Sequence, residues 1–348
     1  MPACPIRGKV PAIMAEMSPI LVEIWRGALN ESTHRGAYVV TDVNGAVVES
    51  KGDSERAVFA RSAIKPIQAL PLIETGAADA CNASPAEVAL SCASHGGEPH
   101  HTEAVSAWLS RIGLAVRDLE CGAHAPYYVP TMKALYAAGQ EPSPLHNNCS
   151  GKHTGMLATC VHMKERTKGY IQLEHPAQQR VLRALEEMCG VALDNAPRGI
   201  DGCGFPQIAI PLKALARGIA RFGAPDGLTA GRAAACRRIA AAMVAHPLMV
   251  AGTGRFCTKA LEIARGKAVV KTGAEGLYMA AIPAKGYGIA IKVDDGAARA
   301  AEIAMATLLI RHADLDASQI EAFEALQRPS MTNAAGATIG EARPAPGF

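Results

Sequence analysis

The strand-forming segments of this chain lie at its two ends, and that separation constrains the fold more than any other feature. Residues 37–49 read AYVVTDVNGAVVE, with β-branched residues flanking Asn44-Gly45, which predicts a hairpin closed by a type I′ turn. Residues 268–271, 277–283 and 287–293 predict three short strands, separated or ended by Gly273, Lys285-Gly286 and Asp294-Asp295-Gly296. A helix is expected over 297–311, apolar at Ile303, Leu308 and Leu309, with Arg311-His312 suited to the negative end of its dipole. Residues 61–163, 176–189 and 227–245 carry mainly helical signals, broken by glycine-rich stretches such as Ser94-His95-Gly96-Gly97. Strands so far apart in sequence find partners by closing one antiparallel sheet from both chain ends, with the helix-rich part inserted. The expected class is α/β in the α+β sense, with one domain over 20–328. Its sheet part is expected at 20–60 and 265–312, its helix-rich part at 61–264, and loose tails at 1–19 and 329–348.

Charge narrows the partners. The 348 residues carry 35 Lys+Arg against 32 Asp+Glu, a formal net charge of +3, and only 4% are aromatic. That leaves no electrostatic footprint for DNA and few platforms on which single-stranded bases could stack, so no nucleic-acid partner is expected. No apolar run approaches the roughly 18 residues that would cross a bilayer. Pro2, Pro5, Arg7, Lys9 and Pro11 interrupt any leader-like segment, and the ten cysteines lack the density of a disulfide scaffold. The expectation is a cytoplasmic protein with reduced thiols and no membrane partner.

Three short motifs carry chemistry. Ser62-Ala63-Ile64-Lys65 is an S-x-x-K, which on a helix sets amine and hydroxyl on one face. Pro66 pulls a helix start towards this point, although it disfavours helical geometry at Lys65 itself. If the start is here, Ser62 has free N–H groups beside it for developing negative charge. Alone, S-x-x-K arises by chance about once or twice in a chain this long. Lys271-Thr272-Gly273 ends a β-branched strand, and S-x-x-K followed by K-T-G is the paired signature of serine penicillin-recognising enzymes. Ser91-Cys92-Ala93-Ser94-His95 stands, by order, where those enzymes carry a middle serine motif, without matching S-D-N.

Serine chemistry of this kind needs a neutral lysine. A lysine titrating near 10.4 is only about 0.04% neutral at pH 7, whereas one near 8 is about 9% neutral, a difference of about 3.3 kcal/mol. Two cationic side chains in one partly buried pocket, with Arg61 alongside, would each lower the other's proton affinity. A paired-lysine site is therefore physically coherent where one Ser-Lys pair is merely possible.

Asn147-Asn148-Cys149-Ser150-Gly151-Lys152-His153 and Asp201-Gly202-Cys203-Gly204 form a second cluster. By spacing, Cys149, His153 and Cys203 are an ordinary zinc set of two thiolates and an imidazole. A nucleophilic Cys149 with His146 or His153 is the other reading, and two unrelated buried cysteines beside turns is the plain one.

Together, Ala60-Arg61-Ser62-Ala63-Ile64-Lys65-Pro66, Cys92-Ala93-Ser94-His95, Cys121-Gly122-Ala123-His124, the block from Asn148 to Met156, Asp201-Gly202-Cys203, and His246-Pro247 with Val250-Ala251-Gly252 resemble one family. It is the rhizobial-type L-asparaginases, and the resemblance runs from about residue 22 to about 331. It implies a fold similar to serine β-lactamases and glutaminases, hydrolysis of L-asparagine, and a homodimer. Carried over by motif, it implies two catalytic Ser-Lys tandems, Ser62 with Lys65 and Ser94 with Lys271. It implies zinc (Zn2+) on Cys149, Lys152 and Cys203, the lysine replacing His153 as ligand because the cation itself keeps an amine deprotonated. It also implies that Asp201 holds the substrate's α-amino group, with Arg61 and His153 as carboxylate or supporting partners. A glutaminase, a penicillin-hydrolysing relative or a zinc-dependent metabolite sensor are the alternatives.

Overall fold

The computed structural model describes residues 17–348, so the expectation of a loose start falls largely outside the described residues. The described residues form eleven strands: β1 (Ile20–Arg26), β2 (Leu29–Asp42), β3 (Val47–Lys51), β4 (Ala57–Phe59), β5 (Arg198–Ile200), β6 (Pro206–Pro211), β7 (Val269–Thr272), β8 (Leu277–Ile282), β9 (Tyr287–Val293), β10 (Ser330–Thr332) and β11 (Thr338–Pro344). Eight of them make one antiparallel sheet in the order β10-β11-β1-β2-β9-β8-β7, with β3 also on β2. Both chain ends therefore build the sheet, as the strand signals require. β2 and β9 form its seam, from Gly36 opposite Val293 to Asp42 opposite Tyr287.

Alternation along β2 explains the layering. Ala37 and Val39 face one core with the helix Leu212–Gly223, while Tyr38 and Val40 face another with the helix Ala298–His312. A sheet apolar on both faces must be covered on both, and these two helices do so. The first core continues into the helix-rich insertion, where the helices Pro85–Ser91, Ser150–His162, Pro176–Cys189 and Ala230–Ala245 pack together.

Three local expectations change. The hairpin between β2 and β3 exists, but its turn is not type I′. Of the pair Asn44-Gly45 only the glycine has positive φ (88°), and the Asp42 carboxylate accepts the N–H groups of Asn44 and Ala46 at 2.8 and 2.9 Å. An aspartate bonding its own following backbone favours this longer connection. The helix-rich part carries two strands that its helical signals do not announce, β5 and β6, which form a small separate sheet with β4. Strands of three to six residues bounded by prolines and loops leave too little alternation to read.

The C-terminal tail is not loose. β11 pairs with β1 from Val22 opposite Pro344 to Arg26 opposite Gly340, β10 pairs with β11, and the ring of Phe348 packs on Tyr38 at 5.1 Å. This segment is rich in alanine, glycine and proline with no apolar alternation, and its order comes from backbone pairing along the sheet together with burial of Ala342, Ala345 and Phe348. Deleting residues 329–348 is expected to lower the thermal unfolding midpoint by more than about 5 °C. An unchanged melting curve would restore the loose tail.

Candidate active site

The chain runs from β4 into a short 3-10 helix, Arg61–Ile64, and directly into the helix Lys65–Gln68. Pro66 sits in the first turn, and Lys65 is helical in spite of it (φ −55°, ψ −33°). Arg61 has φ +50°, a left-handed conformation that costs a side-chain-bearing residue about 1–3 kcal/mol. It is held there by Gln207, whose side-chain oxygen accepts the Arg61 N–H at 3.2 Å, and by Asp201, which accepts its guanidinium. The end of β7 meets this turn. A Cβ on Gly273 would lie 3.0 Å from the Ala60 oxygen and 3.1 Å from the Ala63 nitrogen, so only glycine allows the K-T-G strand so close to Ser62.

Ser94 follows the helix Pro85–Ser91 in a loop that is pinned at each step. Its N–H donates to the Val250 carbonyl at 2.9 Å, and the next N–H, of His95, donates to Asn148 at 3.1 Å. The His95 ring accepts the Gly97 N–H through Nδ1, so Nε2–H donates to Ser150 Oγ at 2.9 Å. Burial keeps this imidazole neutral by pushing its pKa well down. Helix packing carries the other wall: a Cβ on Gly151 would sit 2.3 Å from the Leu90 oxygen, so the helix Ser150–His162 lies directly against Pro85–Ser91.

On that frame two lysines converge on one serine. The Lys65 ammonium donates to Ser94 Oγ at 3.1 Å, to Cys149 Sγ at 3.1 Å and to the Ala93 carbonyl. The Lys271 ammonium donates to the same Ser94 Oγ at 3.1 Å and to the Thr272 carbonyl at 2.8 Å. Both lysines are only 1% exposed. Burial, with Lys65 and Arg255 adding to it, drives Lys271 down to about 8 against the weaker pull of neighbouring cysteines. The expected pair of Ser94 with Lys271 is thus assembled. The expected pair of Ser62 with Lys65 is not: among the described residues no hydrogen bond joins them, and Lys65 reaches Ser94 instead. A 3-10 turn followed by a proline-containing turn departs from the regular helix on which the i, i+3 expectation rested.

Cys149, Lys152 and Cys203 also come together, although they arrive from two separate segments. Lys152 Nζ donates to Cys203 Sγ at 3.2 Å and stands 3.6 Å over the Phe205 ring. With Cys203 beside it and Lys65 and Lys152 near, the Cys149 thiol is held well below its ordinary range while the Cys203 thiol is pushed up. Burial opposes charge on Lys152, but Cys203, Cys149 and Asp201 outweigh it and raise its proton affinity. Two soft sulfur donors and an amine in a closed niche suit a zinc ion, which takes such sets tetrahedrally. His153 does not join them. Its Nδ1 bonds the Tyr170 hydroxyl at 2.6 Å, its ring packs on Phe205, and burial keeps it neutral.

Ser62 and Ser94 open on one cleft of about 430 Å³, which Tyr127, Asn148, Arg255, Thr272, Gly273 and Ala274 complete. Arg61, Asp201 and His153 are not on its wall. The Arg61 guanidinium spends two N–H groups on Asp201 Oδ1, at 3.0 and 2.7 Å, and Asp201 further accepts from Gly202 and Gln207. Burial works against charge on Asp201, but Lys152 and Arg61 outweigh it and keep the carboxyl below its ordinary range. This ion pair locks the loop that carries Cys203 to the turn that carries Ser62. A second cavity of about 430 Å³, bordered by Thr307, Arg311 and Phe348, holds no comparable set of hydroxyls and amines.

The sequence model of the L-asparaginase II family matches residues 22–344. The chain belongs to the L-asparaginase II family. As a family member it is an asparaginase-type amidohydrolase acting on a small-molecule amide. No curated protein matches it. Solved structures overlap it only in part. With the native form of Mglu the identity is 12% and the TM-score 0.40, covering 78% of this chain and 58% of that one. With a β-lactamase from Mycobacterium bovis the values are 12% and 0.39, covering 80% and 95%. With a putative β-lactamase from Bacteroides dorei they are 14% and 0.39, covering 74% and 84%. No described helix of this asparaginase-family chain is long and apolar enough to cross a membrane.

Sequence reasoning missed Tyr127, Arg255 and Thr272 as cleft residues. Thr272 was visible as the middle of K-T-G, but nothing near Tyr127 or Arg255 sets them apart from surface residues of the same type. If neutral Lys271 is the reacting form, kcat/KM rises from pH 7 to 9 with an apparent pKa near 8, because a lowered pKa makes the neutral amine available above that value. A flat pH profile over this range would remove Lys271 from the chemistry.

Proposed function

We propose that this chain hydrolyses L-asparagine to L-aspartate and ammonia through a serine ester. One observation carries the reading: two lysine amines meet a single serine hydroxyl at 3.1 Å each, at the base of a cleft that also presents Ser62. Such a pair makes a neutral amine available near neutral pH, which amide hydrolysis by an alcohol needs.

In this reading Lys271, neutral, accepts the Ser94 proton, and Ser94 takes the proton of Ser62 as Ser62 Oγ attacks the side-chain amide carbon. The N–H groups of Ser62 and Ala274 bond no other described backbone group and border the cleft, so they are available to the oxyanion. The carbon–nitrogen bond breaks as the relay returns a proton to the leaving nitrogen, which departs as ammonia. Water then attacks the ester, gives its proton to the same relay, and releases aspartate and the Ser62 hydroxyl. Lys65, donating to Ser94 and Cys149, keeps the relay hydroxyl aimed and its charge favours a transient alkoxide.

Zinc fits Cys149, Lys152 and Cys203. When bound it would hold both sulfurs as thiolates and Lys152 as a neutral amine, and so stiffen the loop from Asp201 to Phe205. Arg61 and Asp201, tied to that loop, would then keep the Ser62 turn in its left-handed start.

Ser62→Ala is expected to remain folded and lose about 10⁴-fold or more in kcat, and Ser94→Ala about 10²-fold or more, measured as ammonia release from asparagine and from glutamine. Full activity in Ser62→Ala with none in Ser94→Ala would transfer the ester to Ser94. Wild-type release of ammonia from glutamine alone would replace asparagine as the substrate. Verified metal removal is expected to raise KM by about tenfold with a smaller change in kcat. Identical kinetics and melting with and without zinc would discard the metal.

A further inference from the structure

We propose that Arg255 binds the substrate's α-carboxylate and so restricts the cleft to free amino acids. The inference rests on the reading that this cleft hydrolyses a side-chain amide. Such a substrate carries, besides the reacting amide, one full negative charge that the site must recognise.

The cations around the cleft differ in what they have left to offer. Lys65 and Lys271 are buried beneath it and donate to Ser94. Arg61 is committed to Asp201 and lies off the wall. Arg255 is on the wall with Ser62 and Ser94, half-buried, and among the described residues its guanidinium has no carboxylate within ion-pair distance. Glu302 feels its charge from farther away but is bonded to the Tyr278 hydroxyl at 3.3 Å.

The guanidinium is nevertheless held in place. It lies 5.8 Å over the ring of Tyr127, itself a cleft residue, while the Arg255 backbone opens the helix Phe256–Ala264 and its N–H donates to Gly252. A guanidinium held over an aromatic face spends no N–H group on it, and its planar fork matches a carboxylate with two parallel hydrogen bonds. The same charge is one of those that depress Lys271, so a carboxylate seated on Arg255 would couple binding to the state of the base. An amide without an α-carboxylate would leave Arg255 unpaired, and a residue within a polypeptide, whose α-carboxyl is an amide, would not satisfy it either.

The test compares L-aspartate with β-alanine, which is the same product without its α-carboxylate. Dissociation constants by calorimetry on wild type, Arg255→Met and Arg255→Lys are read beside asparagine kinetics and melting curves. The proposal expects Arg255→Met to bind aspartate about 30-fold more weakly and to raise the asparagine KM similarly, with Arg255→Lys between. The preference for aspartate over β-alanine should collapse in the Met variant. Folded variants that bind aspartate as wild type does, or wild type that binds both compounds alike, overturn it. Wild type that binds aspartate through Arg255 yet releases no ammonia from asparagine sinks the asparaginase reading and leaves Arg255 standing. Wild type that does neither overturns both.

Discussion

Two buried ammonium groups sharing one hydroxyl is the constraint on which the rest of this structure depends. Like charges brought to the same acceptor in a water-poor site oppose each other, and one must give up its proton readily. Here the strain falls on Lys271, which burial and its cationic neighbours bring to about 8. Nothing local could arrange this, because Lys65, Ser94 and Lys271 come from the first helical turn, a pinned loop and the sheet's edge strand. The sheet closed by both chain ends is what sets β7 against the turn that begins at Arg61.

The thiol niche and the serine cleft are one electrostatic unit. Lys65 touches both Ser94 and Cys149, and Lys152 touches Cys203 while contributing to the low proton affinity of Asp201. Asp201 in turn holds Arg61, whose left-handed backbone precedes Ser62. A change of charge among the sulfurs therefore reaches the proposed nucleophile through the field of Lys152 on Asp201 and the Asp201–Arg61 contact. Burial of these groups matters, since the same contacts in water would be screened and worth little.

The two kinds of error in reading this chain have separate physical origins. The Ser62–Lys65 pairing was inferred from helical spacing, and Pro66 together with a 3-10 turn broke the regular geometry on which spacing arguments rest. Residues 329–348 read as a tail because an edge strand can be held by main-chain bonds, with side chains that carry no alternating signal. Arg61 and Asp201, which the resemblance assigns to the substrate, pair with each other here as opposite charges in a crowded site. Arg255 was invisible for the converse reason: an arginine at the start of a helix is ordinary until the cleft beside it is known.

From the sequence alone came the strands at both ends, the helical insertion, the serines, lysines and thiols of the candidate site, and membership in an asparaginase family. These are legible because periodicity, turn chemistry and motif spacing are local properties of the chain. Which lysine meets which serine, which cations remain free and which thiol is the more acidic were decided only by the tertiary structure. Each depends on distances between segments up to 177 residues apart, as from Ser94 to Lys271, and on burial that no single segment can supply.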